Sequence, residues 1–288
     1  DFELLVIDDC SGDCTDAIVR EYAVQDPRVS FVANDSNLGM VANWNCCLAM
    51  ARGSYIKFLF QDDVLTYADS LGKMVRVLDD DPEVSLVASA RRVINGYSEV
   101  LREESFFEHS ISARGAEVIR YCILKHGNVI GEPSAVLFRS EQAMRGFSIG
   151  YRQIVDLEMW FHLLEQGCFV YINEPLCGFR VHAHQQTRKN IKSLVHVEDF
   201  DRLYHEYLPK QYLDIGLLAR EHIRFHQYYN LWKLSRRNMY NRSLALEKIS
   251  RYYGTIGFFA RLYLYKIFNP VYKFARSRYR RKIMRSMC

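Results

Sequence analysis

The stretch Ser54-Tyr55-Ile56-Lys57-Phe58-Leu59-Phe60-Gln61-Asp62-Asp63-Val64-Leu65 decides how the chain is read. Residues 55–60 are almost wholly apolar and aromatic, as in a buried strand, and the run stops abruptly on Gln61 and two aspartates. Just before it, residues 39–51 place Val41, Trp44, Leu48 and Ala51 on one helical face, with Gly53 as a stop. Further back lie a strand at 29–33, a helix at 14–24 and the apolar run Leu4-Leu5-Val6-Ile7. That first run also ends in acid, Asp8-Asp9-Cys10-Ser11-Gly12-Asp13. Downstream, a helix is predicted at 68–78 and a strand at 84–88. Strand and helix alternating in this way predict an α/β fold with a mostly parallel sheet flanked by helices. Ligands of such sheets bind at the carboxyl ends of strands, where both acidic turns fall.

Residues 91–150 are less regular, with a helix predicted at 113–125 and a strand at 135–139. A helix at 155–166, stopped by Gly167, precedes a strand at 169–172. From about residue 191 the pattern becomes helical and rich in Tyr and Arg. The expected organisation is therefore a catalytic domain over residues 1–190 and a helical, basic extension over 191–288. A 288-residue chain that is 49% hydrophobic and 25% charged is a folded globular protein, not a disordered one.

Charge is divided unevenly. Glu247 is the last acid, and eleven Lys and Arg follow it; residues 1–247 hold the other 27 of 38 Lys and Arg against all 34 Asp and Glu, a net of −7. An acidic body with a basic tail points to an anionic partner for the tail alone. The eight cysteines show no CxxC pair and no regular spacing, which favours reduced thiols in the cytosol over a disulfide framework or zinc site. No stretch is long and apolar enough to span a bilayer, because Arg261 and Lys266 interrupt the best candidate.

Each chemical motif has a plain reading beside the functional one. Asp8 and Asp9 at a strand end can accept hydrogen bonds from a nucleobase or ribose, while Asp13 or Ser11 can simply cap the next helix. Asp62 and Asp63 supply hard oxygens suited to Mg²⁺ or Mn²⁺ beside a diphosphate, or form a solvated turn. Asp156 at the start of an apolar helix can complement the helix dipole, and His182 can be a satisfied histidine at a strand end.

Taken in order, ELLVIDDCSGDCT, NDSNLGMVANWNCCLAMARGSYIKFLFQDDVL, GEPSAVLFR, VDLEMWFHLLEQG and PLCGFRVHAHQQT resemble bacterial members of glycosyltransferase family 2 over residues 3–187. The resemblance implies a GT-A fold, here without the family's first strand and helix, a unit of about 30 residues. It implies that Asp8 and Asp9 contact the base and ribose of a nucleotide-sugar donor. Gln61-Asp62-Asp63 matches the D-x-D-type motif with Gln first, so that Asp63 would ligate a divalent cation and Asp62 would touch nucleotide or sugar. Asp156 matches the second residue of a Glu-Asp pair, the general base, with Val155 in place of the Glu. His182 matches the histidine of an Arg-x-His motif near the diphosphate and metal, and Glu132 lies in a loop expected to face sugar or acceptor.

The implied reaction is inverting transfer of a sugar from a nucleotide diphosphate to the hydroxyl of a glycan or lipid-linked acceptor, in cell-surface polysaccharide or glycolipid synthesis. The alternatives are a nucleotidyltransferase acting on sugar phosphates, whose Gly-rich basic loop is not visible, and a non-catalytic membrane-associated scaffold. Residues 252–288 interleave aromatics with Lys and Arg, and Pro270 divides them into two expected helical segments. This composition predicts binding to an anionic membrane surface, at the inner face of the plasma membrane. The plain alternative is that Phe259, Leu262 and Ile267 pack on the catalytic domain with the Arg residues solvated outside, and the body's net negative charge argues against nucleic acid.

Overall fold

A computed structural model of the chain describes residues 1–182, 193–237 and 239–283. Strands β1 (Leu4–Asp8) and β2 (Val29–Ala33) pair in parallel, from Leu4 opposite Val29 to Asp8 opposite Ala33. Helix α1 (Thr15–Gln25) crosses between them, as a parallel pair requires, and α2 (Met40–Met50) follows. This unit has its own two-stranded sheet. None of residues 1–55 is fully buried, and Ile56 is the first that is.

The second sheet contains β3 (Tyr55–Ile56), β4 (Val64–Leu65), β5 (Val84–Ile94), β6 (Val100–Glu104), β7 (Ile111–Arg114), β8 (Val136–Arg139) and β9 (Cys168–Arg180). Its path is β3-β8-β5-β9-β4, with β6 added on β5 and β7 on β9. The α/β class stands, and helices α3 (Ser70–Asp80), α4 (Gly115–Lys125) and α5 (Val155–Leu164) flank the sheet. The sheet is mixed, however, and not mostly parallel. Within it only β5 and β9 run parallel, and the other pairs are antiparallel. Of the strands not expected, β6 and β7 come from the irregular stretch after residue 90, and β6 returns along β5 through a connection too short for anything but an antiparallel pair. The β5–β6 hairpin shows this: Asn95 Oδ1 accepts from the amides of Tyr97 and Glu99 and closes the turn.

Two strands depart from their sequence outlines in ways that matter for the site. The apolar run 55–60 joins a ladder only over Tyr55–Ile56, which leaves residues 57–60 to lead into the acidic turn. The strand expected at 169–172 extends to Arg180, which carries the chain from the core to that same turn.

The core lies beneath the large sheet. Eight of the ten residues of α5 are buried, including Leu157, Met159, Trp160 and Phe161, and they pack in one cluster with Phe138, Phe169 and Tyr171. Approach at the rim is very close. A Cβ on Gly115 would sit 1.9 Å from the Leu164 carbonyl oxygen, so only glycine lets α4 begin there.

Helices α6 (Val195–Tyr207), α7 (Leu217–Ser235), α8 (Arg242–Tyr253) and α9 (Thr255–Ile283) complete the described chain. Pro270 lies inside α9, which is one helix and not the two segments expected. One face of α9 buries Phe258, Leu262, Tyr265 and Tyr272, while the opposite face exposes Ile256, Phe259, Tyr263, Leu264, Ile267, Phe268, Val271 and Phe274. No helix among the described residues is long and apolar enough to cross a membrane. The expected domain boundary at 190/191 falls within 183–192, outside the described residues, as does His184 of the motif that follows Arg180.

Candidate active site

The acidic turn is built by the meeting of two distant segments. The amide of Asp63 donates to the Phe60 carbonyl at 3.0 Å and closes the turn. Arg180, at the end of β9, then clamps it. Its amide donates to Asp63 Oδ1 at 2.9 Å and its Nε to the Asp62 carbonyl at 2.6 Å. Its Nη1 reaches the Asn95 carbonyl at 2.7 Å and Ser98 Oγ at 3.0 Å. Two residues on, His182 Nε2 lies 3.0 Å from Asp62 Oδ2. The sequence-predicted residues Asp62, Asp63 and His182 are thus brought together by a residue that had no assigned role.

Asp63 is 6% exposed, and its Oδ2 is buried without a hydrogen-bond partner. Burial pushes its carboxyl above the usual aspartate range, while the nearby Ser134 hydroxyl and the Arg180 amide favour the charged form. Lys57, which leads into the turn, contacts the Ser134 carbonyl. Burial pulls its ammonium down to about 8, against the attraction of Cys177 and Asp63. A buried carboxylate oxygen left unpaired is costly in a finished fold, and a bound cation would satisfy it. The donor set therefore fits a hard divalent ion. Among the described residues no three His, Cys, Asp or Glu side chains form a complete metal-binding group.

Asp156 occupies the first turn of α5. Burial raises its carboxyl to about 6, outweighing hydrogen bonds from the Leu157 amide and its own and from Asn128. Asn128 Nδ2 donates to Asp156 Oδ2 at 3.3 Å and to the Gly131 carbonyl at 3.0 Å. Its Oδ1 accepts from the amides of Ile130 and Gly131 at 2.8 and 3.0 Å. Trp160 Nε1 holds the Gly131 carbonyl from the core side at 3.0 Å. Three residues on, Ser134 Oγ accepts the Phe60 amide at 3.2 Å. A single loop, 128–134, therefore braces Asp156 at one end and the acidic turn at the other.

Glu132 lies on that loop, paired with Arg91, which also holds Glu104 at 2.7 Å. Arg91 has a side chain only 13% exposed, so Glu132 is tethered to the sheet.

Asp8 and Asp9 differ sharply. Asp8 accepts the Ser11 amide at 2.9 Å and contacts the Ser11 hydroxyl, within an exposed turn. Asp9 uses both oxygens on the approach to α2, accepting Leu38 N at 2.8 Å, Gly39 N at 2.9 Å and Asn34 Nδ2 at 2.9 Å. Partial burial raises its carboxyl, but these three donors outweigh it and hold the group below the usual range. Asp9 thus braces the loop 34–39.

Sequence reading passed over Asn128, Ser134, Lys57 and any role for Arg180. Arg180 carried a signal, standing two residues before His182 in a motif already singled out. The other three are single polar residues whose importance arises only from contacts across 28 to 77 positions.

The sequence profile named Glycosyl transferase family 2 matches residues 1–145. An uncharacterised protein of Mycobacterium tuberculosis is 29% identical over 212 residues, covering 70% of this chain and 65% of that protein. TuaG of Bacillus subtilis, named for a glycosyltransferase of teichuronic acid biosynthesis, is 29% identical over 181 residues, covering 62% of this chain and 68% of that one. Among solved structures, residues 1–349 of Staphylococcus aureus TarS in complex with UDP-GlcNAc match with a TM-score of 0.61 at 17% identity, over 82% of this chain and 65% of that chain. The mannosyltransferase PcManGT of Pyrobaculum calidifontis, in complex with GDP-Man and Mn²⁺, matches with a TM-score of 0.52 at 18% identity, over 93% and 77%. These likenesses establish the GT-A fold. The chain spans just under two thirds of the mycobacterial relative and of the TarS chain.

Proposed function

The chain belongs to glycosyl transferase family 2, and from that premise we propose that it is a metal-dependent, inverting glycosyltransferase. It would move a sugar from a nucleotide diphosphate to an acceptor hydroxyl. The observation that carries this reading is the loop 128–134, which contacts both a raised carboxylate, Asp156, and the turn that holds the partly unsatisfied Asp63. Displacement at an anomeric carbon needs a base on the acceptor side and charge neutralisation on the leaving-group side.

Asp156 is the proposed base. A carboxylate near pKa 6 is largely ionised at neutral pH, yet is a stronger proton acceptor than an ordinary aspartate. It takes the proton as the acceptor oxygen attacks the anomeric carbon from the face opposite the diphosphate. One displacement inverts the centre, so an α-linked donor gives a β-linked product. Asp63 and His182 would hold Mg²⁺ or Mn²⁺, which would neutralise charge growing on the departing diphosphate. Asp62, oriented by His182, is the proposed contact to nucleotide or sugar. Asp8 and Asp9 form the proposed nucleoside end, with Asp9 acting through the loop 34–39, and Glu132 faces sugar or acceptor from its tether on Arg91.

The acceptor is proposed to be a glycan or lipid-linked glycan, in cell-surface polysaccharide or glycolipid synthesis at the inner face of the plasma membrane. The exposed apolar face of α9 supports the location. Ile256, Phe259, Tyr263, Ile267, Val271 and Phe274 recur every three or four residues along it. Lys266 and Lys273 border this stripe, Arg278 and Arg281 continue it, and no acid occurs beyond Glu247. That arrangement fits a helix lying in the interface of an anionic membrane. The test is a panel of nucleotide sugars with Mn²⁺ and membrane-extracted acceptors, read as nucleoside diphosphate release. Transfer from one donor that is lost in Asp63→Ala supports the reading, and transfer indifferent to that substitution overturns it.

A further inference from the structure

A cleft of about 210 Å³ lies between α4 and α9, far in sequence from the acidic turn, and is lined by Tyr121, Lys125, Lys273, Arg276 and Ser277. Three of its five lining residues are cations and none is an acid. Lys273 and Arg276 lie three apart on α9, on successive turns, and meet Lys125 from the last turn of α4. Neither Lys273 nor Arg276 makes an ion pair with an acid among the described residues, and the sequence beyond Glu247 offers none. His126, at the end of α4, stacks on His226 of α7 with ring centroids 4.1 Å apart, and burial keeps both imidazoles neutral, reinforced by Arg276.

Like charges gathered at a partly covered site repel one another, and an anion placed among them reverses the sign of that interaction. The lining includes groups that suit tetrahedral oxyanions: the Lys273 ammonium, the Arg276 guanidinium fork and the Ser277 hydroxyl, with Lys125 adding positive charge. We propose that this cleft binds a phosphate group. Its position indicates where the phosphate would come from. Lys273 adjoins Phe274 of the exposed apolar stripe, so a lipid headgroup in the cleft would leave its acyl chains beside that stripe. The inference deepens the membrane reading of α9 and rests on it only for the source of the phosphate. The same donors would accept free phosphate.

The test uses the full chain and two probes. Sedimentation with phosphatidylcholine vesicles, with and without phosphatidylglycerol, reads the lipid-borne group. Thermal unfolding in inorganic phosphate against chloride at equal ionic strength reads the free one. The cleft variant is Lys273→Gln/Arg276→Gln, and Arg242→Gln/Arg251→Gln removes the same charge outside the cleft. We expect the cleft variant to bind anionic vesicles at least tenfold more weakly than the parent, and the control to stay within about twofold. Stabilisation by phosphate that is lost only in the cleft variant, with vesicles ignored, keeps the site, makes its ligand free phosphate and overturns the membrane reading alone. Equal losses in both double variants, or a parent that responds to neither probe, overturn the cleft. Should the double variant unfold in chloride, Lys125→Gln, at an exposed position on α4, reads the same difference.

Discussion

His182 Nε2 stands 3.0 Å from Asp62 Oδ2, across 120 positions of sequence. The contact depends on Arg180, whose backbone and guanidinium bind the turn from the same strand end. The acidic motif is therefore a joint between β9 and the segment after β3, not a free loop.

Arg180→Ala should loosen that joint. Hydrogen bonds from a charged donor contribute about 1.5–3 kcal/mol each, and leaving the Asp62 and Asn95 carbonyls without this partner adds to the loss. We expect destabilisation of about 2–4 kcal/mol by urea unfolding and a fall of at least tenfold in metal-dependent nucleotide affinity. Unchanged nucleotide affinity in the folded variant would show that the clamp is irrelevant to the site.

Asp63→Ala should abolish the Mn²⁺-dependent gain in thermal stability on adding UDP or GDP, because ligand binding stabilises only the state that binds it. Asp9→Ala should act differently. It removes three hydrogen bonds to a carboxylate at the entrance to α2, at a cost of about 2 kcal/mol, while leaving metal-dependent binding measurable. Calorimetry with and without Mn²⁺ separates the two; identical behaviour would erase the distinction drawn between these carboxylates.

Asp156 should govern the pH dependence. A base works deprotonated, so with its carboxyl at about 6 the rate should fall as pH drops through 6 and level off above it. Stability should follow the opposite sign. Because the folded-state pKa lies above the unfolded value, the folded state binds more protons between those values and stability declines as pH rises through that window. Asp156→Asn should therefore unfold at a higher temperature than the parent at pH 7.5, while turnover falls about 10²- to 10⁴-fold. A variant that loses both stability and turnover would make Asp156 structural.

The unit β1–α1–β2–α2 should exchange its amide protons faster than β5 and β9. None of its residues is fully buried and its strands pair only with each other, whereas β5 is buried along most of its length. Hydrogen exchange by mass spectrometry reads this directly, and equal protection would contradict it.

Much of this was legible from local pattern. Apolar runs ending in acid marked the ends of β1 and of residues 55–60, and 3.6-residue periodicity located α2, α3 and α5 within two residues at each end. What local pattern lacked was pairing. Nothing in residues 91–150 distinguishes β6 or β7 from loop, because their register depends on β5 and β9. The helix α9 continues through Pro270, where the break expected from a ring lacking an amide hydrogen did not occur. Its buried face, with Phe258, Leu262, Tyr265 and Tyr272, is held by other helices. In the site, the acids stood out by charge, but Asn128 and Ser134 acquired their roles only when the loop 128–134 met Asp156 and Phe60.

The most direct test of the central claim is the anomeric configuration of the product. With an α-linked nucleotide sugar, Mn²⁺ and the acceptor found in the donor panel, NMR of the purified product reports the new glycosidic bond through its one-bond C–H coupling at the anomeric carbon. The account predicts a β-linkage with release of nucleoside diphosphate. An α-linked product, or release of pyrophosphate with the nucleotide retained on the product, would contradict it.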